Sequence, residues 1–245
     1  MVQVKRPIDS GQAGGNGGDP SPSASPSPSN SKLDAGDFGS WVLEMQAAIR
    51  GDAGSDVACG TCTACCSSSQ FVHIGPEETE ALAGIPKALR FAAPGLPKGH
   101  VLLGYDDQGR CPMLINDRCS IYQDRPRTCR TYDCRVFPAA GLSIEEKDKV
   151  LIARQAQRWY FTYSSAADEV RHDAVRAAGE WITKHANDLP REVVPANTTQ
   201  HAVMAFRLHG AFCELNEANE LRIVKPELAV VLAEIEQRGG RLREQ

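Results

Sequence analysis

The sequence predicts an α+β protein that is helix-rich and contains a loop-rich cysteine cluster and a small antiparallel β-ribbon. Apolar residues recur at helical spacing on both sides of the cluster. Between residues 100 and 122, short apolar runs alternate with Asp, Asn and Gly turn signals, a pattern typical of a ribbon. Eight of the nine cysteines lie between residues 59 and 134, which is not a chance distribution.

Composition divides the 245 residues into three predicted parts. Residues 1–35 are rich in Gly, Pro and Ser and contain almost nothing that could form a core, so we predict a disordered leader. Residues 36–140 contain eight of the nine cysteines and are predicted to form one metal-binding domain. Residues 141–245 are predicted to be a helical region that packs on it.

Helices are predicted where apolar residues recur at steps of three and four. The first begins at Phe38 and ends before Gly51, and a short one follows with Pro76 in its first turn. Another short helix is predicted from Pro86 to Phe91. The C-terminal stripes are Ile152, Ala156, Trp159, Tyr160 and Tyr163; Val170, Ala174, Ala177 and Trp181; Val203, Phe206, Gly210 and Cys213; and Leu228, Val231, Leu232 and Ile235. We interpret Trp159, Tyr160 and Trp181 as core residues.

Charge and hydropathy exclude several classes of protein. The net charge of -4 argues against a general nucleic-acid binder. The start lacks the apolar core of a secretory signal, and no run has the roughly 20 apolar residues of a spanning helix, so we expect a cytoplasmic protein without a membrane partner. In a reducing compartment, clustered cysteines indicate metal binding or catalysis rather than disulfides.

The cysteine spacing favours metal binding. The stretch "CGTCTACC" contains two Cys-x-x-Cys steps, whose tight turns let thiolates converge on one ion. Four thiolates satisfy one zinc ion or one iron–sulfur cluster, so eight allow two sites or one site with spare thiols. Adjacent Cys65 and Cys66 cannot both bind one ion without strain, so one of them serves a second metal or stays free. The candidate ligands are Cys59, Cys62, Cys65, Cys66, Cys111, Cys119, Cys129 and Cys134.

Arginines accompany the downstream cysteines. Residues 110–135 contain six arginines and three aspartates. A four-thiolate zinc centre carries about two net negative charges by formal counting, which need compensation if buried. Guanidinium groups supply both charge and N–H donors for sulfur, although an ordinary solvated basic loop has the same composition.

These motifs resemble the YkgJ-type cysteine-cluster family of zinc- or iron-chelating domains. The matching elements are "CGTCTACC", "VHIGPEETEALA" and "DQGRCPMLINDRCSIYQDRPRTCRTYDC". The resemblance covers roughly residues 56 to 138 and implies metal chelation by the matched cysteines, with Tyr122, Arg125 and Arg130 around the bound sulfurs. A similar cluster in flagellin lysine methylases implies an enzyme as an alternative.

Three functions therefore remain open from the sequence. The first is a metal-binding protein that holds zinc, iron or an iron–sulfur cluster. The second is an iron–sulfur or iron-dependent enzyme that modifies a protein or peptide, and the third is a zinc-stabilised interaction module. His73 is a further candidate ligand, whereas Cys213, His201 and His209 are interpreted as structural. The protein partner and any catalytic residue are not determined.

Overall fold

The first elements of the computed structural model, which describes residues 31–55, 57 and 59–240, are a strand and a helix. Most of the predicted leader lies outside the described residues, and its last positions belong to strand β1, Leu33–Asp37. Helix α1 is Phe38–Arg50, as the apolar spacing predicts. Asp37 accepts a hydrogen bond from the Ser40 N–H at its N-terminus, and Gly51 closes the C-terminus with φ 85°.

The remaining elements alternate short strands with helices. The strands are β2 Val72–Ile74, β3 Arg90–Ala92, β4 Val101–Leu103, β5 Leu114–Ile115, β6 Arg118–Cys119, β7 Trp159–Thr162, β8 Cys213–Leu215 and β9 Leu221–Ile223. The helices are α2 Thr79–Gly84, α3 Arg127–Thr131, α4 Val136–Ala139, α5 Val150–Ala156, α6 Ala166–Lys184, α7 Thr198–Leu208 and α8 Leu228–Gly240. The predicted α+β class is confirmed.

The larger core joins α1 to the C-terminal helices. Phe38 and Trp41 of α1 are buried with Ile152 of α5, Val175 of α6 and Phe206 of α7. Strand β1 pairs in parallel with β7, with Leu33 opposite Trp159. Residues from both sides of the predicted boundary at residue 140 thus share one core, and the division into two parts stays a prediction.

A smaller core lies under the three-stranded antiparallel sheet β2–β4–β3. Its buried residues are Val72, Ile74, Ala81, Ile85, Leu103 and Met113. The Thr128 hydroxyl on α3 donates a hydrogen bond of 2.8 Å to the His73 carbonyl, which docks α3 on β2. This second core is small, so it has little apolar burial of its own to stabilise it.

Several predicted elements differ in the structure. Residues 159–162 are strand β7 and not a continuation of α5, because Trp159 and Phe161 face inward while Tyr160 and Thr162 face outward. Tyr160 is therefore exposed and is not a core residue.

The short predicted helices and the ribbon also change. The Pro86–Phe91 segment contains a 3-10 turn, Lys87–Leu89, followed by β3, and α2 begins at Thr79 rather than near Pro76. The antiparallel ribbon exists only as the two-residue pair β5–β6, since β4 joins the other sheet. Helices α6 and α8 agree with the predicted stripes, whereas α7 ends at Leu208 and Cys213 begins β8.

Within the residues that the model describes, none of the helices combines the length and the apolar composition needed to cross a membrane.

Candidate metal centre

The upstream cysteines lie on a tight loop between α1 and β2. The Cys62 N–H donates to the Cys59 carbonyl across 2.9 Å, which turns the chain at the first Cys-x-x-Cys step. Cys65 and Cys66 then lie on a 3-10 turn, Cys65–Ser67. The buried Ser68 hydroxyl donates to the Ala64 carbonyl and fixes this turn. The loop therefore presents its four thiols within one compact segment.

The downstream ribbon is joined to this loop through the backbone. The Cys111 N–H donates to the Cys66 carbonyl across 2.7 Å, and the Ser69 N–H donates to the Gly109 carbonyl across 2.9 Å. Burial raises the pKa of the Cys111 thiol, and the backbone N–H groups of Met113 and Leu114 oppose that rise. The Leu114 N–H donates its hydrogen bond of 2.9 Å to the Cys111 carbonyl, which closes a tight turn at this cysteine.

Cys119 lies on β6 and Cys129 on α3. In the ribbon, Cys119 stands opposite Leu114. The Cys129 N–H donates to the Pro126 carbonyl, which starts α3 at the Arg125–Pro126 step. All eight predicted ligands, like Cys213, are free thiols.

Cys134 is the buried member of the set, with 5% of its surface exposed. The Trp159 indole N–H donates a hydrogen bond of 3.2 Å to its sulfur. This donor comes from β7, and sequence reasoning assigned Trp159 only to the core. The alternation of Trp159 and Phe161 with the more polar Tyr160 and Thr162 could have indicated a strand. Nothing in the sequence shows that the Trp159 indole reaches a sulfur.

The largest thiol contributions to each pKa suggest two sets of thiols, although Cys65 and Cys66 each couple to members of both sets. The first set contains Cys134. Burial raises the pKa of the Cys65 thiol well above its usual value, and the strongest thiol contributions come from Cys134 and then Cys59. Burial also raises the pKa of Cys134 to about 12, with Cys59 and Cys62 as the contributing thiols. We call Cys59, Cys62, Cys65 and Cys134 the Cys59 group.

The second set contains the ribbon cysteines. Burial raises the pKa of the Cys66 thiol to about 12, and Cys111 and Cys119 contribute most among the other thiols. Desolvation of the sulfur, and then the thiols of Cys66, Cys111 and Cys119, raise the pKa of Cys129. The residue as a whole is nevertheless exposed. We call Cys66, Cys111, Cys119 and Cys129 the Cys66 group.

These raised pKa values have a chemical meaning. Thiols with pKa values near 12 are protonated at neutral pH, so they are poor nucleophiles without further activation. A bound cation displaces these protons, because the thiolate is the form that ligates metal. The raised pKa values therefore argue against a single reactive thiol in the metal-free protein.

Arg125, one of the residues predicted around the sulfurs, packs against Tyr122, another of them. Its guanidinium lies 4.0 Å from the centre of the Tyr122 ring and donates to the Tyr122 carbonyl across 2.7 Å. Burial and then Cys62 raise the pKa of the Cys59 thiol, and Arg135 and Arg125 oppose that rise. The charge of Arg125 also opposes the rise at Cys129. Arg130 is exposed, and its backbone carbonyl accepts a hydrogen bond from the Ser55 N–H.

A buried ion pair holds the chain next to Cys134. The Asp133 carboxylate accepts hydrogen bonds of 2.8 Å from the Trp41 indole, the Ser55 hydroxyl and the Arg135 guanidinium. Arg135 is 7% exposed and also donates to the Ala35 carbonyl. Through these contacts the pair holds the chain at Cys134 against α1 and β1. Arg135 bonds the Asp133 carboxylate directly, so compensation of charge on the sulfurs is its lesser role.

The Tyr132 hydroxyl is a buried polar group beside the sulfurs. It has no hydrogen-bond partner of good geometry in the described chain, although the Thr199 hydroxyl lies close enough to lower its pKa. Burial raises the pKa of this phenol, and Cys65 and then Cys134 add to the rise. A metal-bound thiolate in the Cys59 group would give the hydroxyl an acceptor.

The other candidates lie elsewhere. His73 Nε2 is 3.0 Å from His100 Nδ1, and the two rings stack across β2 and β4. His201 bonds the Gly179 carbonyl, His209 bonds the Phe206 carbonyl, and Cys213 lies near the His209 carbonyl. These contacts fit the structural roles predicted for His201, His209 and Cys213.

The donor set fits zinc or iron. All-thiolate sites suit both ions, and an N–H donor already lies at the sulfur of Cys134. In the part of the chain that the structure describes, no three His, Cys, Asp or Glu side chains already converge as ligands of one ion. Metal binding therefore requires the thiols of a group to move toward each other.

Comparison with known proteins gives one match. Residues 58–157 match the family model described as "CxxCxxCC: Putative zinc- or iron-chelating domain". The match begins beside the first cysteine, includes all eight predicted ligands and ends two residues before Trp159. Neither a curated protein nor a solved structure matches the chain.

Proposed function

We propose, from the premise that residues 58–157 form a domain of the CxxCxxCC family, that this protein binds zinc or iron through its eight clustered cysteines. The observation that carries the proposal is the clustering of eight free thiols from three segments of chain, with the Trp159 indole N–H directed at the Cys134 sulfur. A bound ion would hold these thiols as thiolates and supply the cross-links that the loop-rich segments otherwise lack.

A structural role for the metal follows from the burial pattern. The loop of residues 59–71 has few buried apolar side chains, chiefly Ala64. Structural zinc supplies on the order of 10 kcal/mol of folding free energy in small metal-dependent domains. We therefore infer that the metal stabilises the cysteine loop and the ribbon.

Elemental analysis of anaerobically purified protein tests the proposal. We expect stoichiometric zinc or iron, and we expect a strong chelator to lower the melting temperature followed by circular dichroism. The Cys213→Ser variant is the matched control, because Cys213 lies outside both groups, and it should keep its metal. Purified protein without metal would contradict the proposal. An unchanged melting temperature after the chelator removes the metal would contradict its structural role.

The same preparation separates the two alternative functions. An iron–sulfur or iron-dependent enzyme that modifies a protein or peptide requires iron, visible absorption bleached by reductant, and a Mössbauer signal. Colourless protein with stoichiometric zinc would exclude that enzyme and leave the zinc-stabilised interaction module. For the module, substitutions on an exposed C-terminal patch should abolish partner capture without changing metal content.

We also infer a reducing compartment such as the cytoplasm. Nine free thiols, eight of them clustered, would be prone to oxidation in a secretory environment. Substrate and protein partner are open, and nucleic acid is not expected for a chain with net charge -4.

A further inference from the structure

We infer that the eight cysteines form two separate four-thiolate centres, one from the Cys59 group and one from the Cys66 group. This inference rests on the proposed function, since it names which thiols share a metal. Each group has four sulfurs, the number that completes one tetrahedral ion or holds one cubane cluster.

The turn at Cys65 and Cys66 separates the two groups. Both residues lie on the 3-10 turn Cys65–Ser67. A 3-10 helix has three residues per turn, so neighbouring side chains point about 120° apart. One ion cannot accept both thiolates without distortion, whereas two ions on different sides of the turn can each accept one.

The two groups also lie on different hydrophobic cores. Cys134 is buried in the larger core and Cys62 packs against it, together with Ala64. Cys111 packs against the smaller core. Helix α3, which carries Cys129, is docked on β2 of that same smaller core through Thr128. Cys62 and Cys134 of one group therefore contact the larger core, whereas Cys111 and the helix of Cys129 in the other group contact the smaller core.

Backbone hydrogen bonds connect the members of the Cys66 group. The Cys111 N–H bonds the Cys66 carbonyl across 2.7 Å. Cys111 leads into β5, and the Leu114 N–H, which donates to the Cys111 carbonyl across 2.9 Å, belongs to the residue paired with Cys119. Cys66, Cys111 and Cys119 are thus held in one unit, and Cys134 belongs to the other through the Trp159 donor.

Cobalt binding to the full-length protein tests the partition. The protein is stripped of metal anaerobically and titrated with Co²⁺, and thiolate-to-cobalt charge-transfer absorption is followed together with elemental analysis. The wild type and Cys213→Ser should each bind two ions per chain. Cys59→Ser and Cys129→Ser, both at exposed positions, should each lose one of the two high-affinity sites.

Double variants distinguish two centres from one. Cys59→Ser/Cys62→Ser removes two ligands from one group and should still bind one ion. Cys59→Ser/Cys129→Ser removes one ligand from each group and should lose both sites. Circular dichroism of each variant checks that the helical core, which lies mostly outside the cysteine loop, stays folded.

A second measurement needs no substitution. Wild-type protein with one equivalent of Co²⁺ is alkylated, and intact chains that keep four unmodified cysteines are mapped by top-down mass spectrometry. Protection of Cys59, Cys62, Cys65 and Cys134 in one population, or of the other four in another, supports the partition. Protection mixed between the groups, or identical losses in the two double variants, would overturn it while leaving metal binding intact. Wild type that binds no cobalt would overturn the proposed function itself.

Discussion

Trp159 donates its indole N–H to the sulfur of Cys134 across 3.2 Å. The donor lies just beyond the stretch that matches the family model, and it is buried with its acceptor. A hydrogen bond to sulfur stabilises the thiolate over the thiol. The C-terminal region thus contributes directly to the properties of the cysteine site.

Replacing Trp159 by Phe should weaken metal retention in the Cys59 group. Loss of such an outer hydrogen bond commonly costs about 10- to 100-fold in metal affinity, which is measured by competition with a coloured chelator. Trp181→Phe is the control, because that indole ring stacks on His185 rather than on a cysteine. Equal affinity in both variants would show that the indole has only a packing role.

Tyr132→Phe should have opposite effects with and without metal. Removing a buried hydroxyl that lacks a good partner should stabilise the metal-free protein by about 1 kcal/mol. With metal bound, the same change removes a donor to a thiolate and should speed release of the metal. Urea unfolding of stripped protein and chelator-release kinetics of loaded protein give the two readings. The idea fails if the two readings change in the same direction.

Removal of the buried carboxylate at Asp133 should be strongly destabilising. The Asp133→Ala variant leaves Arg135 with only the more distant Glu44 carboxylate at 3.8 Å, and it leaves the Trp41 and Ser55 donors without their acceptor. Breaking a buried pair in this way costs about 3–5 kcal/mol, as measured by denaturant unfolding. Glu214→Ala, which breaks the exposed pair with Arg222, should cost less than about 1 kcal/mol. Similar costs in the two variants would argue against the role of burial.

His172 should make the fold sensitive to mild acid. Burial, and then the charge of Arg176, lowers its pKa to about 4, while the backbone of Pro138 and Ala139 opposes that shift. Its ring stacks on Phe38, and its Nδ1 lies 2.8 Å from the Tyr163 hydroxyl. The folded pKa is below the unfolded value, so this contribution is fully present above about pH 6.5 and is lost as the pH falls toward 4.

Between pH values above 6.5 and below 4, His172 should change the free energy of unfolding by about 3 kcal/mol. We expect the free energy of unfolding of the wild type to fall between pH 7 and pH 4.5 more steeply than that of His172→Gln. Comparing the two proteins subtracts the titration of carboxylates, which is common to both. Parallel pH profiles would rule out His172 as the sensitive group.

Metal removal should loosen the smaller core first. That core buries only six hydrophobic residues, whereas the larger one joins α1, α5, α6 and α7. Hydrogen exchange of chelated protein should show lost protection in β4, β5 and α3, with protection retained in α6. Uniform loss across both cores would indicate a single cooperative unit instead.

Much of the helical architecture could be predicted from the sequence. Helix α1 has a regular apolar stripe, an Asp N-cap and a Gly C-cap, and all three signals agree. Strand β7 was missed because its four residues are too few to distinguish alternation from a helical stripe. In the sequence, its partner β1 precedes all of the clustered cysteines and β7 follows them, so no local signal predicts that pairing.

The candidate ligands could be recognised because cysteine spacing is local information. Their division into two groups could not, since it depends on which core each segment packs against. Trp159 was interpreted as a core residue, which is correct for its burial but omits its contact with Cys134. When a side chain both packs in the core and donates a hydrogen bond, the sequence pattern reveals only its packing role.

The parallel pairing of β1 with β7 also affects the order of events during synthesis. Domains form from the N-terminus as the chain leaves the ribosome, but Leu33 has no strand partner until Trp159 has been made. All eight candidate ligands precede that residue, so a nascent chain exposes its complete thiol set before the larger core can close. Metal delivery on the ribosome would therefore meet open, reactive cysteines, and delivery after release would meet a partly enclosed Cys134.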